Sequence, residues 1–214
     1  MAIVSSTALT FAPATTQAGA SANIGYVSNY VFRGVQQTNT GSGSAGLDYE
    51  DDSGLYVGTW GADVDDGLEY DFYAGWGGAF SDVNLGIGAT YYGYTKSAFD
   101  DPYQEVNLSL GYGPVTLGYD LGQHLKGATT GPKDKDYSDI SIGMDYESVS
   151  ATLGVWDEDT DAKDDALTYF DLSYSTELAA GLDGSITYTY ALSEASGATA
   201  DNYLIFGISK AFDF

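Results

Sequence analysis

The sequence predicts an all-β fold, a transmembrane antiparallel up-and-down β-barrel of about twelve strands. Three observations carry that expectation. From Ala22 onward, apolar and polar residues alternate with a period of two, and no sustained 3.6-residue pattern competes with it. The connections between the alternating runs sort by parity into short turns and longer polar loops. Hydrophobic residues make up 43% of the chain, yet no run approaches the ~18 uninterrupted apolar residues of a membrane-spanning helix. An apolar surface that meets lipid must therefore be distributed along strands.

Taken in chain order, residues 1–20 read as an export leader. Ala2, Ile3, Val4, Ala8, Leu9, Phe11 and Ala12 form a short, mostly apolar run, and Ala18-Gly19-Ala20 fits a small-x-small cleavage site, although a positive first region is missing. Residues 21–214 would then form the barrel. Strands are expected at 22–32, 43–49, 54–62, 68–77, 82–92, 103–112, 115–121, 137–146, 149–156, 166–175, 184–192 and 202–214. The faces are clearest where Leu182, Ile186, Tyr188, Tyr190 and Leu192 oppose Asp183, Ser185, Thr187 and Thr189. They are equally clear where Val83, Leu85, Ile87, Ala89 and Tyr91 oppose Asn84, Gly86, Gly88, Thr90 and Tyr92. Ile140, Ile142 and Met144 likewise oppose Asp139, Ser141 and Gly143. The least clear run is 54–62, where Tyr56 and Trp60 compete with Leu55 and Val57 for the same face.

Short connections at 50–53, 78–81, 113–114 and 147–148 alternate with longer polar ones at 33–41, 93–102, 122–136, 157–165 and 193–201. Such sorting is expected when one barrel end faces the periplasm and the other the outside. The connection at 63–67 is short for an outer loop, and that at 176–183 is long for a turn. A soluble sandwich or lipocalin-like barrel would also alternate, but with its polar face outward. The opposite assignment rests on the Gly, Ser and Thr content of the polar face. It rests also on strand-end aromatics suited to interfacial girdles, namely Tyr26, Tyr30, Phe32, Tyr70, Tyr91, Tyr112, Tyr146, Tyr174 and Tyr190.

Charge narrows the function classes. With 31 acidic residues against 7 basic ones, the formal net charge is −24. A chain of that charge repels phosphate, which argues against nucleic-acid binding. Aromatic residues at 14% argue against disorder as the cause of the acidity. Catalytic and cofactor chemistry have little material, and no cofactor is expected. There is no Cys and no Gly-x-Ser-x-Gly elbow, and the one histidine, His124, falls in an expected external loop, where solvation is the ordinary fate. The acidic run from Asp157 to Asp165 departs from a calcium loop, with Ala162 and Thr168 where Gly and Glu are needed. It reads as a solvated loop.

The chain ends in Phe214, with Phe212 and Phe206 on the same strand face. This pattern resembles the C-terminal signal read by the outer-membrane barrel-assembly machinery. Lys210 shares that apolar face and is expected to snorkel to the periplasmic interface. In the N-terminal half, Tyr30-Val31-Phe32-Arg33-Gly34 followed by Gln37-Thr38, Gly54-Leu55-Tyr56-Val57-Gly58-Thr59-Trp60, and Tyr91-Tyr92-Gly93-Tyr94 resemble the TorF family of porin-like outer-membrane proteins. The resemblance covers about residues 22–95. It implies an outer-membrane barrel with a channel role and carries over neither a substrate nor catalytic residues; the partners expected of such a barrel are membrane lipid, lipopolysaccharide, the barrel-assembly machinery and small solutes.

If the apolar face meets lipid, the lumen inherits the other face. It then holds Asp48, Glu50, Glu69, Asp71, Glu105, Asp120, Asp139, Asp145 and Asp171, with Arg33 as the strand-end cation among them. Acid-lined constrictions attract cations. Two readings of Arg33 stand side by side: part of a constriction with these acids, or a tie from the first loop to one carboxylate. A filled, non-conducting interior whose acidic loops serve adhesion or envelope structure is the alternative function.

Overall fold

A computed structural model describes residues 18–97, 99–158, 166–193 and 200–214. The acidic segment 159–165 and residues 1–17, on which most of the expected leader falls, lie outside the described residues. The expected architecture is what forms. Strands β1 (Gly19–Val27), β4 (Ser42–Glu50), β5 (Leu55–Val64), β6 (Gly67–Phe80), β7 (Val83–Tyr94) and β8 (Tyr103–Tyr112) make the first half. Strands β9 (Val115–His124), β10 (Lys135–Tyr146), β11 (Val149–Glu158), β12 (Leu167–Ala179), β13 (Leu182–Ser193) and β14 (Asp201–Asp213) complete it. Each pairs antiparallel with its sequence neighbour, and β1 closes the ring by pairing with β14 as well as β4. Closure satisfies every strand edge, as hydrocarbon requires of a backbone that crosses it. The closed barrel has twelve strands.

The orientation of side chains decides between a lipid-facing barrel and a soluble one. Ile87 (52% exposed), Ile140 (60%) and Phe72 (57%) stand outward, whereas Asp71 and Asp139 are 1% exposed. A soluble barrel would invert those values. In β5 the ambiguity resolves with Leu55 and Val57 outward and Tyr56 and Trp60 inward. The aromatics Tyr112, Tyr146 and Tyr174 stand outward near one end, and Tyr26, Tyr70 and Tyr190 near the other.

Tight turns at 81–82, 113–114, 147–148 and 180–181 mark one end of the barrel, called here the turn side. Their first residues, Ser81, Gly113, Glu147 and Ala180, all have positive φ, as the primed hairpin turns that match strand twist require. The expected long connection at 176–183 is therefore a correction. β12 continues to Ala179 through an irregularity between Glu177 and Ala179 and turns at Ala180-Gly181. On the loop side, β5 and β6 are joined by Asp65 and Asp66 alone.

The largest correction falls in the first loop. The expected strand 22–32 ends at Val27. Beyond it, β2 (Val31–Phe32) pairs with β3 (Val35–Gln36) in a small separate hairpin, whose tip residues Arg33 and Gly34 have φ of +48° and +80°. This hairpin enters the bore. Tyr30 and Phe32 consequently leave the expected girdle. Tyr30 packs with Ala62 and Val64 in a small interior core flanked by Phe32, Trp60, Tyr94 and Phe99. Tyr30 also meets Trp60 edge-on, with ring centroids 5.8 Å apart. β1 itself begins at Gly19, so cleavage after Ala20 would start the strand at Ser21, which pairs with Asp48 and Asp213.

Candidate functional site

The site lies in the loop-side half of the bore, where Arg33 at the hairpin tip meets the barrel wall. Arg33 is 6% exposed, and its guanidinium forks onto Glu105 of β8, with Nη1 to Oε2 at 3.0 Å and Nη2 to Oε1 at 3.3 Å. Nη2 also donates to Asp120 of β9 at 2.6 Å, and Nε lies 3.9 Å from Asp139 of β10. The Phe32 ring sits 4.8 Å from the guanidinium carbon, a cation–π contact that adds to the ionic ones. Arg33 thereby joins the first loop to inward-facing acids of the wall.

Inward tyrosines orient those acids. Tyr137 lies across the facing Gly122 and donates to Glu105 at 2.9 Å, while Tyr169 lies across Gly154 and donates to Asp139 at 3.0 Å. A Cβ at Gly122 would sit 2.1 Å from the Tyr137 ring, so the glycine makes the ring's path to the acid possible. Glu105 takes further hydrogen bonds from Tyr92 (2.6 Å) and Asn107 (2.7 Å), and Asn107 also donates to Asp120 at 2.9 Å. A buried carboxylate with this many donors is fixed in place by its surroundings. Elsewhere on the wall, Tyr30 packs on Ala62 of β5, and the hairpin tip presses on β12 and β13. A Cβ at Gly34 would lie 2.9 Å from the Cβ atoms of Tyr169 and Ala191. The hairpin thus reaches across the bore.

The other expected lumen acids are placed as follows. Glu69 accepts from Tyr30 at 2.8 Å, beside the interior aromatic core. Asp171 accepts from Thr189 at 2.5 Å. Asp71 is buried, and its Oδ1 has no hydrogen-bond partner among the described residues; Asp139 Oδ1 and Asp171 Oδ2 are in the same state. Asp48 faces the lumen nearer the turn side, held by the Tyr73 hydroxyl and, at 3.5 Å, by Asn23. Asp145 departs from the expectation. It keeps the inward parity of Asp139 but sits beside the 147–148 turn, exposed and away from Arg33. The terminal aromatics Phe206, Phe212 and Phe214 are 53%, 38% and 83% exposed on the outer face. Lys210 reaches the Ala180 carbonyl at 2.8 Å, at the turn-side rim.

His124 is a further correction. It closes β9 at 7% exposure, with Nδ1 3.0 Å from Glu158 and Nε2 3.0 Å from Asp100, and its ring stacks on Tyr103 at 3.9 Å. Two nitrogens can both donate only as imidazolium. Around it, the connections 95–102 and 125–134 are locked by Asp101. This carboxylate accepts backbone N–H groups of Ala128 (3.0 Å), Thr129 (2.7 Å) and Thr130 (2.9 Å). Burial alone would raise the pKa of Asp101, but these donors hold it well below the usual carboxylate range. Asp100 is likewise held low against burial, by His124 and Tyr103. Among the described residues, no group of three or more His, Cys, Asp or Glu is arranged to hold a metal ion.

A family model described as "Bacterial protein of unknown function (Gcw_chp)" matches residues 12–212. The chain belongs to the Gcw_chp family. The TorF resemblance of the YVFRG stretch goes beyond that match. Among curated protein sequences, none matches this Gcw_chp chain. Solved structures do. One, reported under "Unveiling the Mechanism Behind the in-meso Crystallization of Membrane Proteins", superposes with a TM-score of 0.63 at 12% identity, covering 92% of this chain and 84% of the other. The NanC porin superposes with a TM-score of 0.54 at 10% identity, covering 91% and 99% respectively. At these identities the likeness is one of fold, and the fold of this Gcw_chp protein is that of an outer-membrane porin.

Proposed function

We propose that this protein is an outer-membrane channel for passive diffusion of small solutes, with a preference for cations. The observation that carries the reading is the sidedness of the strands: apolar side chains stand outward while Asp71, Glu105, Asp120, Asp139 and Asp171 gather round an enclosed axis with Arg33 as the cation in their midst. Carboxylates inside low-dielectric walls concentrate cations and exclude anions. The likeness to the NanC porin and the TorF-like YVFRG stretch support the channel role. In this reading residues 1–20 direct export and are removed, Phe206, Phe212 and Phe214 serve assembly into the outer membrane, and the loop side faces lipopolysaccharide and the exterior. In planar bilayers under asymmetric KCl, the reversal potential takes the sign of a cation-selective pore; anion selectivity, or no conductance, contradicts the proposal.

A specific observation favours a second reading. The hairpin spans the bore, from Tyr30 against Ala62 of β5 and Glu69 of β6 to Gly34 against Tyr169 of β12 and Ala191 of β13, as a plug would, which suits a non-conducting barrel with a structural or adhesive role. Liposome swelling separates the two readings, because only an open pore admits small sugars.

A further inference from the structure

The contacts of Arg33 divide cleanly between a ligand and a receptor. The receptor is strand-borne: Glu105, Asp120 and Asp139 come from three consecutive strands, β8, β9 and β10, and are held by Tyr92, Tyr137, Tyr169 and Asn107 rather than by the hairpin. The ligand is loop-borne, carried on a hairpin of two-residue strands whose tip arginine adopts a left-handed φ of +48°. A residue other than glycine pays a conformational cost there, which the ionic contacts offset. The receptor also carries more negative charge than Arg33 answers. Three carboxylates face one guanidinium, and Asp139, 1% exposed, keeps Oδ1 without a partner among the described residues while its Oδ2 lies toward Arg33 Nε. Both oxygens of Glu105 engage separate guanidinium nitrogens. That is the planar two-point geometry that selects a guanidinium or amidinium over a spherical cation or an ammonium.

We propose that the Glu105–Asp120–Asp139 wall is a binding site for guanidinium- and amidinium-bearing solutes, and that Arg33 is its tethered resident occupant. Such solutes are recognised by displacing Arg33 and taking over its fork to Glu105. The role in transit rests on the channel reading, whereas the binding itself does not require an open pore.

The test uses the full barrel refolded in detergent micelles, as wild type and as Arg33→Ala, with thermal unfolding followed by circular dichroism. Guanidinium chloride at non-denaturing millimolar concentration is compared with sodium chloride and tetramethylammonium chloride at equal ionic strength. The expected result is that guanidinium restores most of the melting temperature lost in Arg33→Ala. It should do so at about tenfold lower concentration than sodium, in keeping with a charge-assisted two-point contact. Adding Glu105→Gln to that variant should abolish the difference between the cations. If guanidinium and sodium act alike, or if the guanidinium effect survives Glu105→Gln, the proposal is overturned. Should Arg33→Ala fail to refold, Arg33→Lys, which keeps a charge on the hairpin without the fork, is measured in the same way and judged by the same outcomes. Guanidinium rescue in micelles combined with no current in bilayers would uphold the site and contradict the channel. Cation-selective current with no guanidinium preference would do the reverse.

Discussion

Across β6 to β10 in the turn-side half of the bore, the paired positions Gly77, Gly86, Ser109, Gly118 and Ser141 form one continuous inward row. In the loop-side half, the corresponding row from β5 to β9 reads Trp60, Asp71, Tyr92, Tyr103 and His124. The backbone is the same closed sheet in both halves, so the sheet does not set the constriction. Side-chain volume does, together with one hairpin that enters from the loop side. Small hydroxyls and glycines leave the turn-side half roomy and weakly polar. Tyrosines laid over glycines, buried acids and Arg33 crowd the other half and give it its charge. Buried charge and side-chain hydrogen bonding are therefore concentrated in the loop-side half, and the two halves should respond differently to equivalent substitutions.

The largest contrast is expected at Glu105. Glu105→Gln removes one of the charges that hold the buried Arg33 and unsettles the donors of Tyr92, Tyr137 and Asn107. A broken buried pair costs about 3–5 kcal/mol, and cation selectivity should fall with it. Ser109→Ala, two residues along the same inward face, should change stability by less than ~0.5 kcal/mol. Urea unfolding of the refolded barrels and reversal potentials check both, and equal effects would erase the distinction between the halves.

A smaller contrast concerns glycines. Gly34→Ala places a Cβ 2.9 Å from two wall side chains at a φ of +80°, for which the left-handed penalty alone is about 1–2 kcal/mol. At Gly143, the nearest atom to an added Cβ is 3.8 Å away, an ordinary contact. Gly143→Ala should unfold within ~0.5 kcal/mol of wild type. Protease sensitivity of the 28–41 segment should rise in the first variant and stay unchanged in the second.

The smallest effect sharpens the picture outside the bore. Because the folded-state pKa of Asp101 is lowered, its contribution is complete above the ordinary Asp value of about 4. That contribution is lost as the pH falls through the depressed folded-state value. Amide exchange at Ala128, Thr129 and Thr130 should stay protected at mildly acidic pH and open only in strong acid. Asp101→Asn should expose these amides at neutral pH, costing about 1–2 kcal/mol of local stability, with the barrel strands unaffected.

What was legible in the sequence was whatever a period of two can encode. Val83, Leu85 and Ile87 against Asn84, Gly86 and Gly88 fixed both strand and face, since a single-residue slip would turn every side chain over. The acids around Arg33 were legible for the same reason, being the inward members of strands already recognised. The hairpin was not, because Tyr30, Val31 and Phe32 continue the alternation of β1 and Arg33-Gly34 is not a usual hairpin turn. Parity places Tyr137 with Asp139 and Tyr169 with Asp171, apart from a girdle tyrosine such as Tyr146, but it does not say which acid an inward tyrosine reaches. The cross-strand glycines, Gly122 and Gly154, were the available signal, and they become readable only once the register is known. His124 escaped because its partners Asp100 and Glu158 are contributed by separate segments that meet only when the barrel closes. Asp145 has the right parity, but parity says nothing about height along the bore.

The lipid-facing barrel and its acidic bore both require the two faces of each strand to point as described, and one strand can decide it. The chain contains no cysteine, so single cysteines at Ile140 and Gly143 of β10 can each carry a spin label in barrels reconstituted into lipid vesicles. At Ile140 the label should collide with dissolved oxygen and be shielded from a water-soluble nickel chelate, whereas at Gly143 the chelate should reach it and oxygen should have less effect. Chelate access at Ile140 with oxygen dominance at Gly143 would contradict the lipid-facing orientation and the acidic bore that follows from it.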